Sequence, residues 1–175
     1  MDFDVVGPFD LTRHGAKTLI TDQSLKDLAQ NLEESREGLS EVMGCYVFAL
    51  RAGRGYTPWY VGQACKRSIL KEALNPSNRE KYNKVLSERK GTPTIFFIPK
   101  QTPGGKFRKI KKAGGGLEAV NFLERWLIST CIQKNPELVN NRETKFLRNI
   151  HVTGIFNAKK GEAHKSAQSL KKALW

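Results

Sequence analysis

A mixed α/β (α+β) domain, built on a small three-stranded antiparallel sheet flanked by helices, is the fold class this sequence predicts. Three stretches carry the prediction. From Gly44 to Gly62, GCYVFALRAGRGYTPWYVG, residue types alternate as in two strands joined by a glycine-bearing loop. From Pro93 to Pro99 a run of β-forming apolar residues lies between prolines and is too short for a helix. From Leu117 to Lys134 apolar residues recur at helical spacing, the strongest helix signal in the chain.

The hairpin comes first because the rest reads as its support. Alternation puts Tyr46, Phe48 and Leu50 on one face of the first strand and Tyr56, Pro58 and Tyr60 on one face of the second. Arg51 to Gly55 is read as a five-residue loop closed by Leu50 and Tyr56. Antiparallel counting then pairs Tyr46 with Tyr60 and Gly44 with Gly62, so that two phenols share a face.

Before the hairpin, residues 1–41 form an N-terminal extension. Its first 21 residues, punctuated by Gly7-Pro8 and Gly15, suit irregular or short β structure. A helix follows from Ser24, where Ser24 and Asp27 resemble a capping box and Leu25, Leu28 and Leu32 keep helical spacing; it ends near Gly38. After the hairpin, Gln63 to Leu74 reads as a short helix stopped by Pro76, on which Arg67 and Lys71, four apart, share a face. Residues 78–89 read as a charged helix with Tyr82, Val85 and Leu86 inward, ended by Gly91, and Pro93 to Pro99 becomes a third strand added to the hairpin.

Lys100 to Gly116 holds six Lys or Arg, five glycines and no acid, and is expected to be a mobile basic loop, with Lys106 and Arg108 among its phosphate-binding candidates. In the helix that follows, Val120, Leu123, Leu127, Ile128 and Cys131 form one apolar stripe, and Glu124 falls inside it. An ionised carboxylate in a packed stripe costs several kcal/mol unless a cation, a metal or hydrogen-bond donors compensate it, so Glu124 calls for a partner. Glu137 to Asn141 is strand- or turn-like. The C-terminal extension, residues 143–175, is read as a further short strand within 146–157 and a basic helix over Glu162 to Leu174.

Composition sets the partner class. The chain has 30 Lys and Arg against 17 Asp and Glu, a net charge of +13, which favours polyanions, nucleic acid above all. Its length suits one compact domain with a core built without disulfides. Cys45, Cys65 and Cys131 lie in apolar or helix-like contexts without metal-type spacing, and a reducing cytoplasm fits; His14, His151 and His164 show no ligand-like spacing. No export signal and no membrane-spanning apolar run is present, so a cytoplasmic protein that does not enter a membrane is expected. The oligomeric state is left open.

The ordered set of Gly44-Cys45-Tyr46, Tyr60-Val61-Gly62, a basic helix, a third strand, a helix with an inward Glu124 and then an Asn resembles the GIY-YIG nuclease family. The likeness spans about residues 42–142. It implies a small α/β nuclease domain in which Tyr46, Tyr60, Arg67, Glu124 and Asn140 are the catalytic set, with Glu124 binding Mg²⁺ (or Mn²⁺) and DNA as the substrate. Cys45 replaces the usual apolar middle residue. The arginine of the family lies further beyond the second motif, near Leu70 or, with a gap, Glu72, so Arg67 is the nearest match, with Lys71, a DNA-binding candidate, one turn on.

Under this resemblance Glu124 holds the metal and Arg67 neutralises charge developing at phosphorus. Tyr46, its pKa brought down by those cations, takes a proton from water; Tyr60 orients water or phosphate, and Asn140 braces the site. Two other functions compete. A non-catalytic nucleic-acid-binding protein that keeps the fold explains the charge, and so does an RNA-binding, ribosome-associated protein, which gives no reason for Glu124 or the paired tyrosines.

Overall fold

The computed structural model describes residues 1–110, 117–141, 144–152, 154–155 and 164–174. Their strands are β1 (Val6–Asp10), β2 (Gly44–Ala52), β3 (Gly55–Ala64) and β4 (Thr92–Pro99), and their α-helices are α1 (Asp22–Ser35), α2 (Ile69–Ala73), α3 (Pro76–Glu88), α4 (Leu117–Lys134), α5 (Thr144–Asn149) and α6 (Lys165–Leu174). The sheet is antiparallel, as expected, but it has four strands in the order β1-β4-β2-β3. The added strand, β1, comes from the N-terminal extension and pairs with β4. Its Gly7-Pro8 sequence weakened the strand signal, yet an edge strand tolerates a residue that cannot donate to the ladder.

Helices cover both faces. On one side Leu28 and Leu32 of α1, Ile69 and Leu74 around α2, and Tyr82 and Val85 of α3 pack on Tyr46, Phe48, Ile95 and Phe97. Burial of each of these large apolar side chains contributes about 1.5–3 kcal/mol. Phe48 and Tyr82 stack with centroids 4.1 Å apart, and the Tyr82 hydroxyl donates to the Ala73 carbonyl at 3.0 Å, which fixes α3 to α2. On the opposite face α4 packs through Val120 on Cys45 and Ile98, and through Ile128, Cys131 and Ile132 on Val61. Leu117–Lys134 is the helix the periodicity predicts.

Several boundaries differ from expectation. α1 is capped by Thr21, whose side chain accepts from Gln23, while Ser24 returns a bond to the Thr21 N–H; the box is one turn earlier than Ser24 to Asp27. The helix closes at Ser35, before Gly38, which opens a single 3-10 turn at positive φ. β3 continues through Ala64 and α2 starts only at Ile69, so the helix expected from Gln63 is five residues long. α3 begins at Pro76, whose missing N–H costs nothing in a first turn, with Asn75 as its cap.

Lys100 to Ile110 is an ordered turn rather than a mobile loop: Gln101 bridges Phe107, Val42 bridges Lys109, and the Arg36 guanidinium lies 4.6 Å over the Phe107 ring. The remainder of that basic stretch, residues 111–116, lies outside the described residues. Residues 144–149 form α5, whose Leu147 joins the cluster under α4; where a short strand was expected at 151–156, the described residues show only a bridge at Val152 and a turn at Gly154 and Ile155. Thr153 and Phe156 of the proposed strand, and residues 162–163 of the basic tail, also lie outside the described residues. Among the described residues no helix is long and apolar enough to cross a membrane.

Candidate active site

The hairpin register differs from simple counting in two places. The turn is Gly53-Arg54 between the paired Ala52 and Gly55, so Tyr56 faces Arg51 instead of Leu50. The ladder then shifts at Trp59, between the Phe48–Tyr60 and Ala49–Pro58 pairs. A one-residue slip moves a side chain to the other face. The shorter turn alone would therefore have carried Tyr60 away from Tyr46, and the bulge returns it. Tyr56, before the bulge, stays on the opposite face and packs edge-on against Phe96.

The outcome is Tyr46 opposite Gly62 and Tyr60 opposite Phe48, with the two phenol rings diagonal neighbours 6.3 Å apart. Gly62 has a steric reason: a Cβ there would lie 2.3 Å from Cζ and the hydroxyl oxygen of Tyr46. Gly44 has another, since its Cβ would lie 2.3 Å from the Ile98 carbonyl oxygen across β4.

Both tyrosines open on a cleft of about 490 Å³ at the exposed edge of β3. The sheet contributes Tyr46, Tyr60 and Gln63; α2 and α3 contribute Glu72 and Lys81; α4 contributes Asn121, Glu124, Arg125 and Ile128; and the segment Val139–Asn141 closes one end. Four of the five residues proposed from sequence as catalytic thus share one cavity. Arg67 does not. It is exposed in the bend between β3 and α2, and Lys71 is exposed on α2, neither forming part of the cleft wall. The helical spacing assumed for them fails because β3 overruns the expected helix start. Lys106 is exposed and Arg108 half-buried in the ordered turn.

The cation that the cleft does hold on its tyrosine side is Lys81. Its Nζ donates to the Tyr60 hydroxyl at 3.3 Å and to Asn78 Oδ1 at 3.0 Å, and sits 4.5 Å over the Tyr60 ring. Desolvation lowers the Lys81 pKa, against the opposing charge of Glu72. Asn78 ties the group together, since its Nδ2 donates to the Tyr46 hydroxyl and to the Glu72 carbonyl, each at 2.8 Å. A signal for Lys81 exists in the sequence: Asn78, Lys81, Tyr82 and Val85 follow the i, i+3, i+4, i+7 pattern, which puts a polar pair on the inward stripe of α3.

Electrostatics separate the two phenols. Tyr46 is 1% exposed, and burial pushes its pKa well above the ordinary range, with the neighbouring Tyr60 and Glu72 adding to the shift. The expected lowering by a nearby guanidinium is missing because Arg67 lies elsewhere. Tyr60 is half-buried and faces the cleft beside an ammonium. Burial also raises the Cys45 and Cys65 thiols, and in both the charge of Glu124 contributes, which places that carboxylate where β2, β3 and α4 meet.

Glu124 is half-buried, and Asn121, one turn before it, has a buried Oδ1 that accepts no hydrogen bond among the described residues. With Glu72 these are oxygen donors, the type that a hard divalent ion prefers, and such an ion keeps several waters and needs few protein ligands. Among the described residues no group of three or more His, Cys, Asp or Glu could hold a metal. Glu124 and Asn121 are the cleft's oxygen donors on α4, and a hard divalent ion there would depend on water for its remaining ligands.

Asn140 acts on the backbone. Its Oδ1 accepts from the Val61 N–H at 2.9 Å and its Nδ2 donates to the Val61 carbonyl at 2.7 Å, so a side-chain amide substitutes for a missing neighbour strand. Val139 N–H to the Trp59 carbonyl, at 2.9 Å, and Asn135 Nδ2 to the Pro58 carbonyl, at 2.8 Å, extend the same support along the bulge. Asn140→Ala leaves two buried backbone groups unpaired and is expected to cost about 2–4 kcal/mol, or on the order of 5–10 °C in Tm. Asn141→Ala, at an exposed position, is expected to change stability by less than about 0.5 kcal/mol. Thermal unfolding of the two variants checks this, and equal midpoints would contradict it. No family model, curated protein or solved structure matches the chain.

Proposed function

We propose that the protein is a metal-dependent endonuclease that hydrolyses DNA phosphodiester bonds in the cleft at the β3 edge, in the manner of the GIY-YIG nucleases it resembles. The observation that carries the reading is the meeting of Tyr46, Tyr60 and Glu124, distant in sequence, in one cavity with a lysine hydrogen-bonded to a phenol. A net charge of +13 supports a polyanionic substrate.

Hydrolysis needs an activated water, charge stabilisation at phosphorus and help for the leaving oxygen. A Mg²⁺ or Mn²⁺ ion held by Glu124 with Asn121 would supply Lewis-acid polarisation of the phosphate and a more acidic bound water. Lys81 takes the part first given to Arg67, countering negative charge on the phosphate from the tyrosine side. Glu72, at the gapped position of the family's arginine, lines the cleft with the wrong charge for that role. Tyr46, kept protonated by burial, serves as a hydrogen-bond donor. Tyr60, on the open wall, is the phenol positioned to exchange a proton with water. Asn140 is a positioning residue, holding the strand that carries Tyr60.

A non-catalytic nucleic-acid-binding protein is the second reading, favoured by the place of Arg67 outside the cleft. Paired variants separate the two. In single-turnover nicking of supercoiled plasmid with Mg²⁺, Lys81→Met is expected to slow cleavage about 10²-fold, as loss of one charge-stabilising group does, and Arg67→Met to stay within about twofold. The active form of Lys81 is the ammonium, and its pKa is lowered. The rate should therefore fall as pH rises through a value below the ordinary lysine range, and Lys81→Arg should remove that alkaline limb. Loss of activity in Arg67→Met with full activity in Lys81→Met would overturn the assignment of the cation.

A further inference from the structure

Two large aromatic side chains of α4 stay largely exposed. Phe122 and Trp126 of α4 are each 65% exposed, and they touch one another edge-to-face with centroids 6.0 Å apart. The core side of α4 runs through Val120, Ile128 and Cys131, so the pair contributes nothing to the packing that holds the helix on the sheet. At about 100° per residue the helix surface passes in order from Glu124 to Asn121, Arg125, Phe122 and Trp126. Arg125 is the last of these to line the cleft, and Phe122 and Trp126 follow it on the outward side of α4.

We infer that Phe122 and Trp126 are a stacking platform for unpaired nucleobases of a strand that runs from the cleft past Arg125 onto the outward side of α4. This rests on the nuclease reading for its ligand. A strand drawn in by a chain of net charge +13 and leaving the cleft over Arg125 meets the pair, and aromatic faces stack on bases of any sequence. The ligand class is accordingly DNA with exposed bases: single strands, bubbles or steps opened by a kink. A second copy of the chain suits the patch less well. Two aromatic residues bury about 150–250 Å² each, well short of the ~800 Å² per partner of a standard interface.

The test is fluorescence anisotropy in EDTA with a labelled single strand and an abasic strand of equal length. The wild type is expected to prefer the base-bearing strand. Phe122→Ala/Trp126→Ala should weaken binding to it by about 10–100-fold and leave the abasic strand unaffected, whereas Trp126→Phe, which keeps a ring, should retain the preference. Neither change reaches the core, and equal unfolding midpoints verify that the variants are folded. Unchanged discrimination in the double variant overturns the platform, as does a concentration-dependent dimer in sedimentation velocity that the double variant abolishes. The two readings separate as well. A lost preference in a chain whose wild type never cleaves DNA upholds the platform and overturns catalysis; cleavage by both chains with equal affinity for both strands overturns the platform alone.

Discussion

Glu124→Gln is expected to reduce Mg²⁺-dependent DNA cleavage by about 10³-fold or more, equivalent to about 4 kcal/mol of lost transition-state stabilisation, while DNA affinity stays within about threefold. The substitution keeps the shape of the side chain and removes its charge. Glu124 is half-buried where α4 meets the hairpin, one turn after Asn121, whose Oδ1 accepts no hydrogen bond among the described residues, and its charge is felt at Tyr46, Cys45 and Cys65. A structural ion-pair role predicts a different pattern, a fall in stability and a small, metal-independent change in rate. Single-turnover kinetics across a Mg²⁺ titration, with urea unfolding alongside, distinguishes them. Retention of more than about a tenth of the wild-type rate would overturn the proposal that Glu124 holds a metal.

Gly62→Ala is expected to destabilise the protein by about 3 kcal/mol and to abolish activity, because a methyl group at that position overlaps the buried Tyr46 ring. The ring has little room to yield: its hydroxyl accepts from Asn78, and Tyr60 packs on its other side. The effect should depend on Tyr46, so that Gly62→Ala in a Tyr46→Ala background costs at least about 1 kcal/mol less than in the wild type. Urea denaturation of the four chains provides the cycle. Additive costs would show that Gly62 is needed for some other reason.

Much of the fold was legible because its signals are local. Leu117–Lys134 carries its periodicity along its whole length, and the prolines framing Pro93 to Pro99 mark a strand without reference to anything distant. The hairpin was legible as two strands, but its register was not. Alternation counts residues on the assumption that none is extra, and the Trp59 bulge is held in place by Val139, which arrives 80 residues later in the chain. Two offsets of opposite effect, a shorter turn and a bulge, left Tyr46 and Tyr60 neighbours although the pairing differs from the expected one. β1 was obscured because Gly-Pro is a poor strand sequence except at an edge, and whether a strand is at an edge is a tertiary fact.

The site divides along the same line. Glu124 was legible because a carboxylate interrupts an apolar stripe, and the same logic applied to α3 points to Lys81. That signal is weak because the helix as a whole is charged, and one inward lysine is inconspicuous among several outward ones. Arg67 was misplaced by a helix boundary: spacing arguments hold only within a helix, and Arg67 precedes the first turn of α2. Asn140 was legible as a brace, but its partner, the backbone of Val61, follows from β3 being the last strand of the sheet.

The central claim, a hydrolytic site assembled from Tyr46, Tyr60, Lys81 and Glu124, is tested most directly by incubating the purified protein with supercoiled plasmid, with Mg²⁺ and with EDTA. Conversion of supercoiled to nicked or linear DNA that requires Mg²⁺ or Mn²⁺, and that disappears in Glu124→Gln, is the predicted result. Salt-sensitive DNA binding without cleavage at any concentration of either ion would contradict it.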